Sequence, residues 1–199
     1  MKHKFMGSFT QNKMMETQEV SLQAPQKGGL NLKSQMHNLT NANSTTDVSS
    51  LDLSQLDIDS LIHMYQDEKL AMDVYSVLAE EYGSYIFDRI SDAEERHLSV
   101  VEDTLVSNGI NIDDLQSLNT GEFVEEGLQS LYDSLIEEGL TSYNDALNVG
   151  VQIEEFDIVD LQNLESNIDV NATLVGIYTN LESASFNHLY AFENSLSIA

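Results

Sequence analysis

The sequence predicts an all-α fold: four long helices form two antiparallel hairpins, joined by a long crossover that contains a short extra helix. Three observations predict it. Apolar residues recur at helical spacing along four long stretches, and no stretch alternates convincingly as a strand. The first two stretches are separated only by Gly83-Ser84, and the last two are also closely linked. Between the second and third the chain takes about thirty residues, long enough to travel the length of a helix.

The first helix is expected from about Asp57 to Tyr82, with an inner stripe of Leu61, Tyr65, Glu68, Met72, Tyr75, Ala79 and Tyr82, and Gly83 as its stop. The second is expected from Tyr85 to Asn108, before Gly109, with Phe87, Ile90, Glu94, His97, Val101 and Thr104 on one face. Residues 110–121 are polar and turn-like. A short amphipathic helix follows, Phe123 to Glu137, carrying Leu128, Leu131, Tyr132 and Leu135 on one side. The third long helix, Ser142 to Glu165, has the stripe Leu147, Gly150-Val151, Glu154, Asp157-Ile158, Leu161 and Leu164. The fourth, Val170 to Leu196, has Leu174, Ile177-Tyr178, Leu181, Ser185, His188 and Phe192. One such helix is marginal alone, but four bury one another's stripes. Two tight hairpins and one long crossover make the ferritin-like arrangement of a four-helix bundle. Residues 1–50, rich in Gln, Asn, Ser, Thr and Lys with Pro25 and Gly28-Gly29 as breakers, are read as a disordered or loosely ordered tail before a bundle domain at 51–199.

Composition narrows the function. The 199 residues carry a formal charge of −26, and after position 33 only Lys69, Arg89 and Arg96 are basic. That surface repels phosphate backbones and attracts cations, which argues against a nucleic-acid partner. Most of the acids are solvated surface. No cysteine is present, so disulfides, thiolate metal sites and thiol nucleophiles are excluded. No run is apolar enough to span a membrane and the N-terminus has no apolar signal core, so a cytoplasmic location is expected.

Each long helix breaks its apolar stripe near its middle. The breaks are Glu68 in the first, Glu94 and His97 in the second, Glu154 and Asp157 in the third, and His188 in the fourth. Glu94 and His97 stand at i and i+3, on one face of the helix. A lone carboxylate or imidazole in a stripe has an ordinary reading as an edge residue or a satisfied core group. Breaks at matching height in four helices are better explained by a metal centre. Four carboxylates balance two divalent cations, and two imidazoles complete the set. Without cations, the crowded acids would raise one another's pKa. Oxygen and nitrogen donors without sulfur suit iron or manganese, with zinc also accommodated. Glu155 rivals Glu154, because a small rotation of the third helix exchanges them. Glu95 and Glu102 point elsewhere, and His63 lies off the stripe.

The segments Gln66-Asp67-Glu68-Lys69-Leu70-Ala71, Glu94-Glu95-Arg96-His97, Leu128-Gln129-Ser130-Leu131-Tyr132, Ala146-Leu147-Asn148-Val149-Gly150, Ile153-Glu154-Glu155-Phe156-Asp157-Ile158 and Asn187-His188-Leu189-Tyr190-Ala191-Phe192 resemble the DUF2202 domain family over residues 55–198. That family looks related to rubrerythrins and other di-iron carboxylate proteins. The resemblance implies that Glu68, Glu94 and His97 match the first-half metal ligands of such bundles, with Glu154 or Glu155 as the carboxylate of the third helix. The fourth helix departs from the usual Glu-x-x-His, because Ser185 occupies the Glu position before His188. Glu182 lies one turn earlier and faces partly away, so Asp157 is the expected replacement.

The expected cofactor is therefore iron, two ions, with dioxygen or peroxide as its reaction partner. A di-iron oxidoreductase of ferroxidase or peroxidase type is the first functional reading. Non-catalytic metal storage, or a structural bundle with a vestigial site, is the alternative. A rubredoxin-type centre needs cysteine, so electrons for turnover would come from outside this chain. Tyr65, Tyr75 and Tyr178 share the stripes as candidate hydrogen-bond donors to the centre. Pairing through helix faces makes a homodimer the suggested assembly.

Overall fold

A computed structural model describes residues 51–124, 126–167 and 171–198. The expectations for residues 1–50 lie outside the described residues. Among these, every regular element is a helix: α1 Gln55–Tyr82, α2 Tyr85–Ser107, α3 Asp113–Gln116, α4 Glu126–Gly139, α5 Tyr143–Asn167 and α6 Ala172–Ile198.

Capping chemistry sets the boundaries. Ser54 and Asp57 form a capping box: Asp57 N donates to Ser54 Oγ at 3.2 Å and Ser54 N to Asp57 Oδ2 at 2.8 Å. That starts α1 two residues before the apolar stripe suggests. Gly83 closes α1 with φ 57°, a left-handed turn that glycine adopts without penalty, so α2 folds straight back. Ser142 Oγ caps α5 by accepting from Asp145 N, and Asn171 Oδ1 accepts from Thr173 N at the start of α6. Phe123, expected to open the short helix, is held outside it because its N–H donates to Gln129 Oε1. The single turn of α3 is too short to show a helical period in sequence.

The pairing of residues fixes the directions of the long helices. Along α1 and α5, His63 meets Asp160, Tyr75 meets Glu154, and Tyr82 meets Tyr143. Along α2 and α6, Glu94 meets His188 and Phe87 meets Phe192. Both pairs are therefore antiparallel, α1 packs on α2, and α5 packs on α6. Because α2 and α5 run the same way, residues 108–142 must return the full length of the helices.

A buried ion pair anchors that return. Lys69 Nζ lies 2.5 Å from Asp73 Oδ2, donates to Asn119 O at 2.9 Å, and sits 4.8 Å over the Phe123 ring. Asp73 also accepts from Gly121 N at 2.8 Å. Each charge thus has a partner and further hydrogen bonds, which offsets the cost of taking it out of water.

Two apolar clusters make the core. One contains Val74, Tyr75, Leu78, Phe87, Ile90, Leu147 and Phe192, covered by Leu128 and Leu135 of α4. The other contains Leu61, Met64, Val101, Leu105, Leu161, Leu174 and Leu181. Glu68, Glu94, Glu154 and Ser185, all buried, fall between them on their four helices. A polar layer thus crosses the core at mid-height.

Close packing reaches its limit at Gly150. A Cβ there would meet Phe192 ring carbons at 2.7 Å. That ring is fully buried, with its centroid 5.3 Å from that of Tyr75 and 5.4 Å from that of Phe87, so it has nowhere to retreat. Gly150→Ala is expected to cost about 1–3 kcal/mol through overpacking. The check is thermal unfolding, where each kcal/mol lowers the midpoint by about 2–4 °C in a domain of this size.

Candidate metal centre

The polar layer assembles from all four long helices. His97 Nδ1 lies 2.6 Å from Glu94 Oε2 and 3.4 Å from Glu68 Oε2. On the other side, His188 Nδ1 lies 2.8 Å from Glu94 Oε1 and 3.6 Å from Glu154 Oε2. Glu94 therefore turns one oxygen to each imidazole. The two rings stack with centroids 5.6 Å apart. Two ligand groups result, Glu68–Glu94–His97 and Glu94–Glu154–His188, with the donor atoms of each within 4.8 Å of one another. Glu94 belongs to both.

The rotation of α5 settles which neighbour points inward: Glu154 is buried and Glu155 is exposed. Tyr75 Oη donates to Glu154 Oε1 at 2.7 Å, which leaves Oε2 to face His188. Of the three tyrosines singled out by position, Tyr75 is the one seen to touch the carboxylates. Tyr178 Oη is buried without a hydrogen-bond partner. Ser185, where a glutamate was expected, places its hydroxyl within hydrogen-bond reach of both Asp157 Oδ2 and Leu181 O. Asp157 lies near enough to feel Glu68 and Glu154 but belongs to neither ligand group. Glu182 accepts from Gln162 Nε2 at 2.7 Å, away from the layer.

The electrostatics reflect crowding. Burial and the charge of Glu94 push Glu68 up to about 8 against the pull of His97, and burial and Glu94 push Glu154 up to about 7. Burial raises Asp157 well above the carboxylate range, with Glu68 and Glu154 adding to it. Burial also penalises Glu94, but His188 and His97 outweigh it and hold it down at about 2. Burial lowers each imidazole, yet Glu68 and Glu94 carry His97 up to about 10, and Glu154 and Glu94 carry His188 up to about 9. The metal-free layer thus holds protons where cations would serve.

The donor set fits a hard or borderline divalent cation: carboxylate oxygens and imidazole nitrogens. Glu68 Oε1 and Asp157 Oδ1 are buried with no hydrogen-bond partner. His188 Nδ1 is held by Glu94 Oε1 at 2.8 Å as an ion pair. Unsatisfied buried acceptors are costly, and a metal ion would satisfy these two oxygens.

Sequence reasoning passed over two groups of charges. Lys69 and Asp73 are invisible to it because the crossover that buries them contributes backbone atoms and not a matching pattern. His63, set aside as off the stripe, reaches Asp67 and Asp160 and forms a third ligand group with them. Its i, i+4 spacing to Asp67 was the available signal.

Residues 57–198 match the family described as "Uncharacterized protein domain (DUF2202)". The chain is 35% identical over 145 residues to the uncharacterized protein MJ0754 of Methanocaldococcus jannaschii, an alignment spanning 73% of this chain and 77% of that one. The crystal structure of the hypothetical protein MJ0754 superposes with a TM-score of 0.67 at 33% identity, covering 74% of this chain and 83% of that one. By matched length and by this relative, the chain belongs to the DUF2202 family.

Proposed function

We propose that this chain is a ferritin-like four-helix bundle whose polar layer binds two iron ions and oxidises them from the ferrous state, with dioxygen or peroxide as electron acceptor. The observation that carries the reading is the division of Glu94, one oxygen toward His97 and Glu68, the other toward His188 and Glu154. A carboxylate shared by two like groups of ligands could serve a cation in each group. The antiparallel hairpins and the full-length crossover support the ferritin-like assignment.

Glu68 and His97 would hold one ion, Glu154 and His188 the other. Two ferrous ions supply two electrons, enough to reduce one peroxide with two protons to two waters. The protein's own part is to orient and to insulate. Tyr75 fixes Glu154, Ser185 fixes Asp157, and apolar clusters above and below exclude bulk water. Asp157 would serve as the reserve carboxylate where the helix-four glutamate is missing.

Anaerobic ferrous titration tests the reading. The layer should take up two ions per chain, and admission of air should oxidise them faster than free iron, with growth of a ferric absorption band. Binding followed by oxidation no faster than free iron would leave storage as the function. No binding at the layer would end both readings.

A further inference from the structure

The layer has two flanks. On the α2–α6 side stand the stacked imidazoles of His97 and His188, each partly buried. On the α1–α5 side a different series of groups leads outward. Glu154, Asp157 and Asp160 follow one another at i, i+3 and i+6 on α5, so each is a side-chain neighbour of the next. Asp67, beside Glu68 on α1, faces Asp160 through His63. His63 Nε2 lies 3.3 Å from Asp67 Oδ2 and 3.8 Å from Asp160 Oδ2. Side-chain exposure is 40% for His63, 12% for Asp67 and 16% for Asp160, so this group opens to solvent.

The spacing leaves room for a cation among the three donors. Ligands about 2.1 Å from a tetrahedral ion stand about 3.4 Å apart, whereas a charge-assisted hydrogen bond closes to about 2.8 Å. The separations around His63 are 3.3 and 3.8 Å; in the layer the pairs of His97 with Glu68 and of His188 with Glu154 are similarly open at 3.4 and 3.6 Å, beside the closer contacts of both imidazoles with Glu94 at 2.6 and 2.8 Å. The donors come from two helices and include an imidazole, so the group is more than a patch of surface acid. One turn inward, Asp157 Oδ1 is buried with no hydrogen-bond partner. It stands between Asp160 and Glu154 on the same helix, as a next acceptor for a cation moving in.

We propose that His63, Asp67 and Asp160 form a second, solvent-open divalent-cation site that loads the buried layer along the α1–α5 flank, through Asp157. The loading role rests on the layer binding metal, as proposed above, whereas the outer site itself does not. An acid-lined flank attracts cations, leaving the imidazole-lined flank to uncharged oxidant.

Manganese(II), which stays divalent in air, is the probe. Free ion is counted by its electron paramagnetic resonance signal and uptake is followed after rapid mixing. The wild-type chain should bind three ions. The double variant His63→Gln, Asp160→Asn should bind two and fill the layer at least tenfold more slowly. Glu94→Gln should keep the outer ion alone. If the double variant fails to fold, His63→Gln on its own, at a half-exposed side chain, gives the same readings. A double variant that still binds three ions, or fills the layer at the wild-type rate, overturns the proposal. A Glu94→Gln count equal to wild type would instead remove the layer as a metal centre, while the loss of one ion in the double variant would still report the outer site.

Discussion

Replacing Glu94 by alanine is expected to abolish both ions of the layer at once, whereas Glu68→Ala and Glu154→Ala should each weaken one. The asymmetry follows from the geometry: Glu94 is common to both ligand groups, and the other two carboxylates belong to one each. Changes to groups that merely hold a ligand cost about 10- to 100-fold in metal affinity, and loss of a shared ligand should exceed that at both positions. In rapid oxidation assays the ferric band should disappear in Glu94→Ala and keep partial amplitude in the single-sided variants. Isothermal titration gives the stoichiometry directly. Equal losses in all three variants would mean that the layer binds as one undivided site and that Glu94 is no bridge.

The second large effect is on stability against pH. Glu68 and Glu154 have raised pKa values in the folded chain, so their protonated forms contribute stability that is full below pH 4.5 and is lost as pH rises through about 7 to 8, and the raised Asp157 acts in the same direction. His97 and His188 are also raised; their contribution is full below pH 6.5 and is lost as pH climbs through about 9 to 10. Glu94 works the other way. Its contribution is present above pH 4.5 and is lost only as pH falls toward about 2. The metal-free protein should therefore unfold at a lower temperature at pH 9 than at pH 5, by something on the order of 10 °C if a few kcal/mol are at stake. Bound cations would replace those protons, so the gain from metal should grow with pH. Thermal melts at pH 5, 7 and 9, at fixed salt, with chelator or with manganese, check both statements. A metal-free midpoint that is flat or rises over this range would show that the layer is not crowded with acid.

The hairpin of α1 and α2 was legible because Gly83 interrupts two strong periodic stretches, and the polar layer because each stripe breaks once at mid-length. Glu154 and Glu155 could not be told apart, since they differ by one 100° step that only packing resolves. α1 reads as one-faced in sequence, yet Lys69, Leu70 and Asp73 are buried as well. The crossover covers the two charges: residues 119–123 meet Lys69 and Asp73 through backbone atoms and one ring. The partnership of His63 with Asp160 spans 97 positions of sequence, and no local pattern announces it. The substitution of Ser185 for the expected glutamate was visible at once, but its role in gripping Asp157 depended on the register of α5 against α6.

A layer of charge between two apolar clusters has a consequence for how this protein breathes. Ordinary helices fray from their ends, and amides in the middle exchange last. Here the least favourable stretch of each helix, when cations are missing, is its centre. Backbone amides around Glu68, Glu94, Glu154 and Ser185 should then exchange with solvent earlier than those of the clusters on either side. Occupancy would restore the usual order, so that metal would act on this fold as a keystone acts on an arch.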